Sequence, residues 1–211
     1  MLGNIGYQIR KRFFKISHQR KNPGRADAKW ELILSHLPEK PGSLLDIGCN
    51  EGMFTINAAK IGWCAWGFDL HNNAVDFAAR TVRKKRISGA FISFGALTLE
   101  IAKKLPKFDV IIIVSTFQEI CTAYGMEKGY EVFQCLLNSC NGMLFFEPSS
   151  VNSKFGHDVK IFDINNDLKS IEKWVKSLVA GSQSWSVRYV GRTVYTKKEP
   201  YRYMFLFEKN V

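Results

Sequence analysis

Short apolar runs and helix-periodic stretches alternate along most of this chain. Ser43–Ile47 is an apolar run that ends at a glycine and reads as a buried strand. Met53–Ile61 follows as a helix, with Gly62 placed to cap its C-terminus. Cys64–Leu70 is a second strand, closing on Asp69. Asn73–Arg86 is a helix whose last turn, Arg83–Arg86, complements its dipole. Ala90–Phe94 reads as a third strand and Leu97–Leu105 as a short helix. Phe108–Val114, FDVIIIV, is β-branched almost throughout, the mark of a central parallel strand covered on both faces. Met126–Cys140 is helical, Asn141-Gly142 turns the chain, and Met143–Glu147 is a fifth strand. Asp167–Val179 places Leu168, Ile171, Val175 and Leu178 on one helical side. The end differs: Trp185–Val194 and Tyr201–Glu208 alternate and flank the charged loop Thr196–Pro200, as in an antiparallel hairpin.

Strands alternating with helices imply an α/β fold with a Rossmann-like, doubly wound sheet of about seven strands. It is mostly parallel, with the hairpin as its antiparallel C-terminal part. Trp30, Ile33, Leu34 and Leu37 form one helical face that precedes the first strand. Residues 1–29 read as a basic helical appendage, broken by Asn22-Pro23-Gly24, and residues 30–211 as the domain.

Charge adds one feature to this picture. The chain carries a formal net charge of +11. Residues 1–29 hold much of it, with Asp27 as their single acid, while Ile5, Ile9, Phe13 and Ile16 recur at helical spacing. A basic amphipathic helix of this kind suits an acidic membrane surface, an RNA, or a place on its own domain. No apolar run reaches the ~20 residues of a membrane span, and the start lacks the features of a secretory signal. The five cysteines are odd in number and none are at CxxC spacing. That pattern favours buried thiols in a reducing, cytoplasmic setting, with a peripheral place at a membrane surface as the variant, and no metal site.

The first strand exits into Asp46-x-Gly48-x-x-x-Gly52, with Asn50 between the glycines. Gly48 permits a tight turn and close approach of a ligand, and Asn50 tolerates a left-handed conformation. Gly52 lets the next helix start near the ligand. Asp46 and Glu51 stand where a pyrophosphate would be repelled, so the dinucleotide fingerprint is disfavoured. Asp69 ends the second strand, where an acid accepts both hydroxyls of a ribose. Together these residues read as a nucleotide-type cofactor site.

LLDIGCNEGMF followed by WGFDL resembles the first two motifs of the class I S-adenosylmethionine-dependent methyltransferases. FDVIIIVSTFQEI is similar to their fourth motif and NGMLFFEPS to their fifth-strand segment, so the likeness runs from Trp30 to Glu208. The resemblance implies S-adenosylmethionine as cofactor. It implies that Asp46, Gly48, Asn50 and Gly52 cradle the methionine portion and that Asp69 holds the ribose. Leu70 would lie against the adenine, with Gly95 and Ala96 beside it, and Ser115 and Thr116 would line the pocket. Many relatives carry an acid after the third strand, whereas this chain has ISFGAL there.

Methyl transfer to oxygen or nitrogen needs positioning and, for some nucleophiles, a general base. Glu119 is the first candidate. Glu147, in the apolar setting FFEPSS, is the second, with burial expected to raise its pKa. His157, in the loop after the fifth strand, is the third. Arg188 and Arg192 of the hairpin are expected on one face, suited to a phosphate or carboxylate. STFQ after the fourth strand lacks the Asn/Asp-Pro-Pro-aromatic signature of base-amino methylation and the Pro-Cys of cytosine C5 methylation. A compact chain favours a small-molecule, glycan or lipid-linked acceptor. The alternatives are an RNA methyltransferase that uses the basic N-terminus, and a non-catalytic partner protein that keeps the cofactor fold.

Overall fold

The computed structural model describes residues 23–148, 167–194 and 201–210. Helix α1 spans Pro23–Leu34, and β1 spans Ser43–Ile47. There follow α2 (Met53–Lys60), β2 (Cys64–Asp69), α3 (Asn72–Lys84) and β3 (Ala90–Phe94). Next come α4 (Leu99–Ala102), β4 (Phe108–Val114), α5 (Phe117–Tyr124), α6 (Met126–Ser139) and β5 (Cys140–Glu147). The last elements are α7 (Leu168–Ser177), β6 (Trp185–Val194) and β7 (Tyr201–Lys209).

The seven strands form one sheet in the order β3-β2-β1-β4-β5-β7-β6. β1 to β5 pair in parallel, while β7 runs antiparallel between β5 and β6. This is the Rossmann-like, doubly wound sheet with a terminal hairpin. Strand order reverses at β1, which has β2 on one side and β4 on the other, and such a reversal opens a crevice at the carboxyl ends of the strands.

Continuous burial of Val110, Ile111, Ile112 and Ile113 follows from cover on both faces of β4. One face packs Phe117, Phe133 and Leu136 with Val175 of α7 against Phe146 and Phe207. The other packs Trp30, Ile33, Phe54 and Ala58 against Leu44, Ile112 and Phe145. Phe133 is fully buried and meets the rings of Phe117, Phe146 and Phe207 at centroid separations of 5.0 to 5.6 Å.

Several elements differ from the sequence reading. α1 starts at Pro23, because proline is well tolerated in the first helical turn, where its missing N–H costs nothing. The break drawn between residues 29 and 30 therefore falls inside α1. Leu34 is exposed rather than part of the buried face made by Trp30 and Ile33. α4 is a single turn, started by the Thr98 hydroxyl accepting from the Ile101 amide. α5 was not anticipated; Gly125, at φ 89°, separates it from α6. β5 leaves α6 directly at Cys140, with no turn at Asn141-Gly142.

The hairpin carries an irregularity that overturns one expectation. Register shifts between Tyr189 and Gly191, so Arg188 lies opposite Leu206 while Arg192 lies opposite Tyr203. A one-residue shift moves side chains to the other face. Arg188 and Arg192 thus stand on opposite faces and form no joint anion grip. Arg188 instead donates from Nε to Glu208 at 2.7 Å.

Deleting the ring at the centre of the aromatic packing tests the core assignment. Phe133→Ala should cost about 3–5 kcal/mol in chemical denaturation. Phe91→Ala, at a side chain that is 58% exposed, should change stability by less than about 0.5 kcal/mol.

Candidate active site

The loop from Gly48 to Gly52 lies at the carboxyl end of β1. Gly48, Asn50 and Gly52 all have left-handed backbones, at φ 73°, 53° and 77°. That alternation turns the loop amides inward. The Gly48 and Cys49 amides donate to Phe68 O, and the Gly52 amide donates to Cys49 O. The Asn50 amide donates to Asp69 Oδ2 at 2.8 Å. A pyrophosphate grip needs free amides pointing at the ligand, and these four point at the protein.

The start of α2 is closed in the same manner. Asp46 accepts from the Thr55 amide at 3.2 Å and from the Thr55 hydroxyl at 2.7 Å. Its carboxylate therefore occupies the positive end of the helix. Asp46 is almost wholly buried, and its pKa is pushed up to about 7. Burial is the main cause; the bonds from Thr55 oppose it, and the charge of Asp69 adds to it. The Cys49 thiol is also pushed up, chiefly by burial and then by Asp46 and Asp69, so it is not poised as a nucleophile.

Asp69 ends β2 with both oxygens engaged. Oδ2 takes the Asn50 amide and Oδ1 takes the His71 amide at 2.7 Å. Each oxygen keeps a lone pair for a further donor. The Gly95 amide donates to Asp69 O, which draws the β3 exit to the same place. Nothing lies within 4 Å of where a Gly95 Cβ would stand. Leu70 and Phe94 are exposed beside that opening, and Ala96 is half-buried. Apolar walls, an open glycine and a carboxylate with acceptor capacity fit an adenosine. The inward amides and the two acids fit a cationic sulfonium and ammonium end better than a phosphate.

The β4 exit meets this loop directly. Thr116 Oγ1 stands 3.1 Å from Ile47 O and 3.0 Å from Val114 O and shares its one hydroxyl proton between them, stitching β1 to β4. A Cβ on Gly48 would overlap Thr116 Oγ1. Ser115, one residue earlier, is left-handed at φ 55°. Its hydroxyl donates to Glu147 Oε1 at 2.6 Å and accepts from Arg202 at 2.6 Å and Lys29 Nζ at 3.3 Å. Its carbonyl accepts from Gln118 Nε2 at 2.6 Å. The Ser115 side chain thus faces the protein, and only its backbone borders the crevice.

Glu147 corrects a second expectation. It is fully buried, yet its pKa is lowered rather than raised. Burial pushes it up, but Lys29 and then Arg202 outweigh that. Lys29 Nζ stands 2.7 Å from Glu147 Oε1, Arg202 3.8 Å away, and the Thr193 hydroxyl donates to Oε2 at 3.3 Å. A carboxylate held this way is a poor proton acceptor near neutral pH.

Glu119 sits half-buried in the first turn of α5, and its amide donates to Thr116 O. His157 lies outside the described residues. The chain therefore brings Asp46, Gly48, Asn50, Gly52, Asp69, Leu70, Gly95, Ala96 and Ser115 to one end of the sheet. Thr55, Lys29 and Thr193 were not foreseen from sequence, nor was the pairing of Arg202 with Glu147. Lys29 and Glu147 are 118 residues apart, and no local pattern connects them.

Two measurements follow from this geometry. An acid whose folded pKa lies above its unfolded value binds extra protons when folded, so it withdraws stability as pH rises between the two. Unfolding free energy should fall from about pH 4 to about pH 7 more steeply in the native chain than in Asp46→Asn. Gly48→Ala should cost about 1–3 kcal/mol or more in thermal unfolding, since it meets both strain and Thr116. Gly95→Ala, into open space, should be neutral within about 0.5 kcal/mol.

Comparison with known proteins agrees with this geometry. Residues 18–121 match a family described as a methyltransferase domain. No curated protein matches the sequence. The fold is similar to that of WbdD, at TM-score 0.70 and 19% identity over 91% of this chain and 43% of that one. This chain therefore spans less than half the length of WbdD, which is described as a bifunctional kinase-methyltransferase. It is also similar to magnesium protoporphyrin IX methyltransferase from Synechocystis PCC 6803 with bound S-adenosylmethionine, at TM-score 0.60 and 18% identity. That match covers 97% of this chain and 91% of the other. Motif, family match and strand order agree: residues 18–121 match a methyltransferase domain, and the sheet has the fold of the class I methyltransferases, a family whose cofactor is S-adenosylmethionine.

Proposed function

We propose that this protein transfers the methyl group of S-adenosylmethionine to an oxygen or nitrogen of a small-molecule, glycan or lipid-linked acceptor. The observation that carries the cofactor side is the loop Gly48–Gly52, with its amides turned inward and two carboxylates beside it. The bound cofactor supplies an electrophilic methyl on a sulfonium, displaced in line by the nucleophile. Position provides much of the rate in such a reaction. The acceptor side lies at the exits of β4 and β5. Gln118 there is buried, and Oε1 has no hydrogen-bond partner. Its amide orientation is fixed by chemistry, because the Ser115 carbonyl can only accept from Nε2. Oε1 suits a donor on the acceptor, a hydroxyl or an amine, held for attack. Glu119 is the proposed general base, and Glu147 orders the turn instead of taking a proton. His157 keeps its place as a candidate in the stretch after β5.

A second reading, with RNA as acceptor, rests on Arg83, Lys84, Lys85 and Arg86. All four are exposed at the end of α3, and none makes an ion pair with a described residue. They lie at the amino ends of the parallel strands, opposite the carboxyl end that holds Asp69. No described helix is long and apolar enough to cross a membrane.

Calorimetry with S-adenosylhomocysteine tests the cofactor. The native chain should bind, and Asp69→Asn should weaken binding at least about tenfold, or about 1.4 kcal/mol. Absence of binding by the native chain would sink the reading. Transfer of labelled methyl into fractionated cell extract then identifies the acceptor class. Label in RNA alone, with binding that weakens steeply with salt, selects the second reading. Binding without transfer into any fraction selects a non-catalytic role. Glu119→Gln should slow transfer about a hundredfold or more while leaving the homocysteine-form affinity unchanged; an unchanged rate removes Glu119 as base.

A further inference from the structure

The buried cluster around Glu147 does not touch the cofactor crevice through any of its charged atoms. It nonetheless connects to it by a short chain of contacts. Lys29 comes from α1, Glu147 from β5, Arg202 from β7 and Thr193 from β6. They meet on the Ser115 hydroxyl, just after β4, and the carboxylate of Glu147, the last residue of β5. The Ser115 hydroxyl has one proton and two lone pairs. Glu147 takes the proton, and Lys29 and Arg202 fill the lone pairs. The Ser115 amide donates to Glu147 O as well, at 3.0 Å. Every polar group of this residue is held, at a backbone angle that serine disfavours.

The next residue is Thr116, packed on Gly48 so closely that glycine is required there. Gly48 opens the cofactor loop at φ 73°. The path from Lys29 to the loop therefore runs through Glu147, Ser115 and Thr116, with a direct contact at each step. We propose that Lys29 is a positioning residue for the cofactor: through Glu147 and Ser115 it fixes the turn that presses Thr116 against Gly48. α1 is then a working part of the cofactor site, although it contributes no group to the crevice itself. This inference rests on the cofactor reading above.

The charged groups facing Glu147 among the described residues are Lys29 and Arg202. Removing Lys29 leaves one cation beside a carboxylate that burial already opposes. Glu147 then titrates at higher pH, and the turn loosens as it does. A residue that only held α1 in place would leave the pH dependence of cofactor binding unmoved.

The test uses the full chain and S-adenosylhomocysteine as probe, by calorimetry over a range of pH. Lys29→Met should weaken binding about tenfold at neutral pH, within the range indirect contacts transmit. Its acid-side loss of binding should begin at higher pH than in the native chain. Lys29→Arg, which keeps the charge, should restore the affinity to within about threefold and restore the pH profile. Ser115→Gly covers the case in which the lysine variants fail to fold. Glycine relieves the φ 55° backbone yet deletes the hydroxyl, so affinity should fall even though backbone strain is removed. Native affinity in Lys29→Met or in Ser115→Gly overturns the inference, as does equal loss in the methionine and arginine variants with no shift in the acid limb. Failure of the native chain to bind overturns the cofactor reading itself and this inference with it.

Discussion

The bond from the Asn50 amide to Asp69 Oδ2 decides much of what surrounds it. It crosses from the loop after β1 to the end of β2, and it requires Asn50 in a left-handed backbone. With Asn50 held there, the amides of Gly48 and Cys49 reach Phe68 O, and the loop lies flat across the two strand ends. Asp69 is in turn fixed by the His71 amide, so its remaining lone pairs have a set direction. The Gly95 amide on Asp69 O brings a third strand exit into line. One carboxylate thus organises the carboxyl ends of β1, β2 and β3. Ligand charge follows from the same arrangement: a loop whose amides face inward offers an anion little.

Two buried carboxylates at the carboxyl ends of β1 and β5 behave in opposite ways. Asp46 and Glu147 are both removed from water, and in each case burial alone favours the proton. Asp46 has only neutral donors, the amide and hydroxyl of Thr55, and a second acid nearby. Its pKa rises to about 7. Glu147 has a lysine and an arginine against it, and its pKa falls. Charge in the partner, not depth of burial, separates the two cases. Glu147 therefore contributes stability above the ordinary glutamate pKa and loses it as pH falls through its lowered folded pKa. Asp46 does the reverse across the range up to neutrality.

Periodicity made most of the fold legible. The run FDVIIIV announced a strand covered on both faces, and the alternation after Trp185 announced the hairpin. Local chemistry made the cofactor loop legible, because a left-handed turn demands glycine or asparagine at fixed positions. Three things were hidden, each for a physical reason. The bulge near Val190 leaves no mark in the alternation, yet it reverses the face on which Arg192 stands. α5 is only eight residues long, too short for a helical period to declare itself. The charge on Glu147 depends on Lys29 and Arg202, which are distant in sequence, so FFEPSS alone suggested only an apolar setting.

The glycines of the motif carry a meaning distinct from the one their pattern suggests. Gly48 is required because Thr116 occupies the space of its side chain, and Gly52 because Ala78 and Ile92 crowd it at a left-handed φ. Gly67, in β2, is required in the same way by Thr55 and Cys49. These are packing demands made by strands and helices that meet where the sheet reverses order. A chain that kept the fold and lost its chemistry would still need them. The motif therefore reports the crevice, while the reaction must be sought in residues whose polar groups the fold does not already use. Gln118 Oε1, buried and unmatched at the exit of β4, is such a group; the Ser115 hydroxyl and the Glu147 carboxylate, each filled by the protein itself, are not.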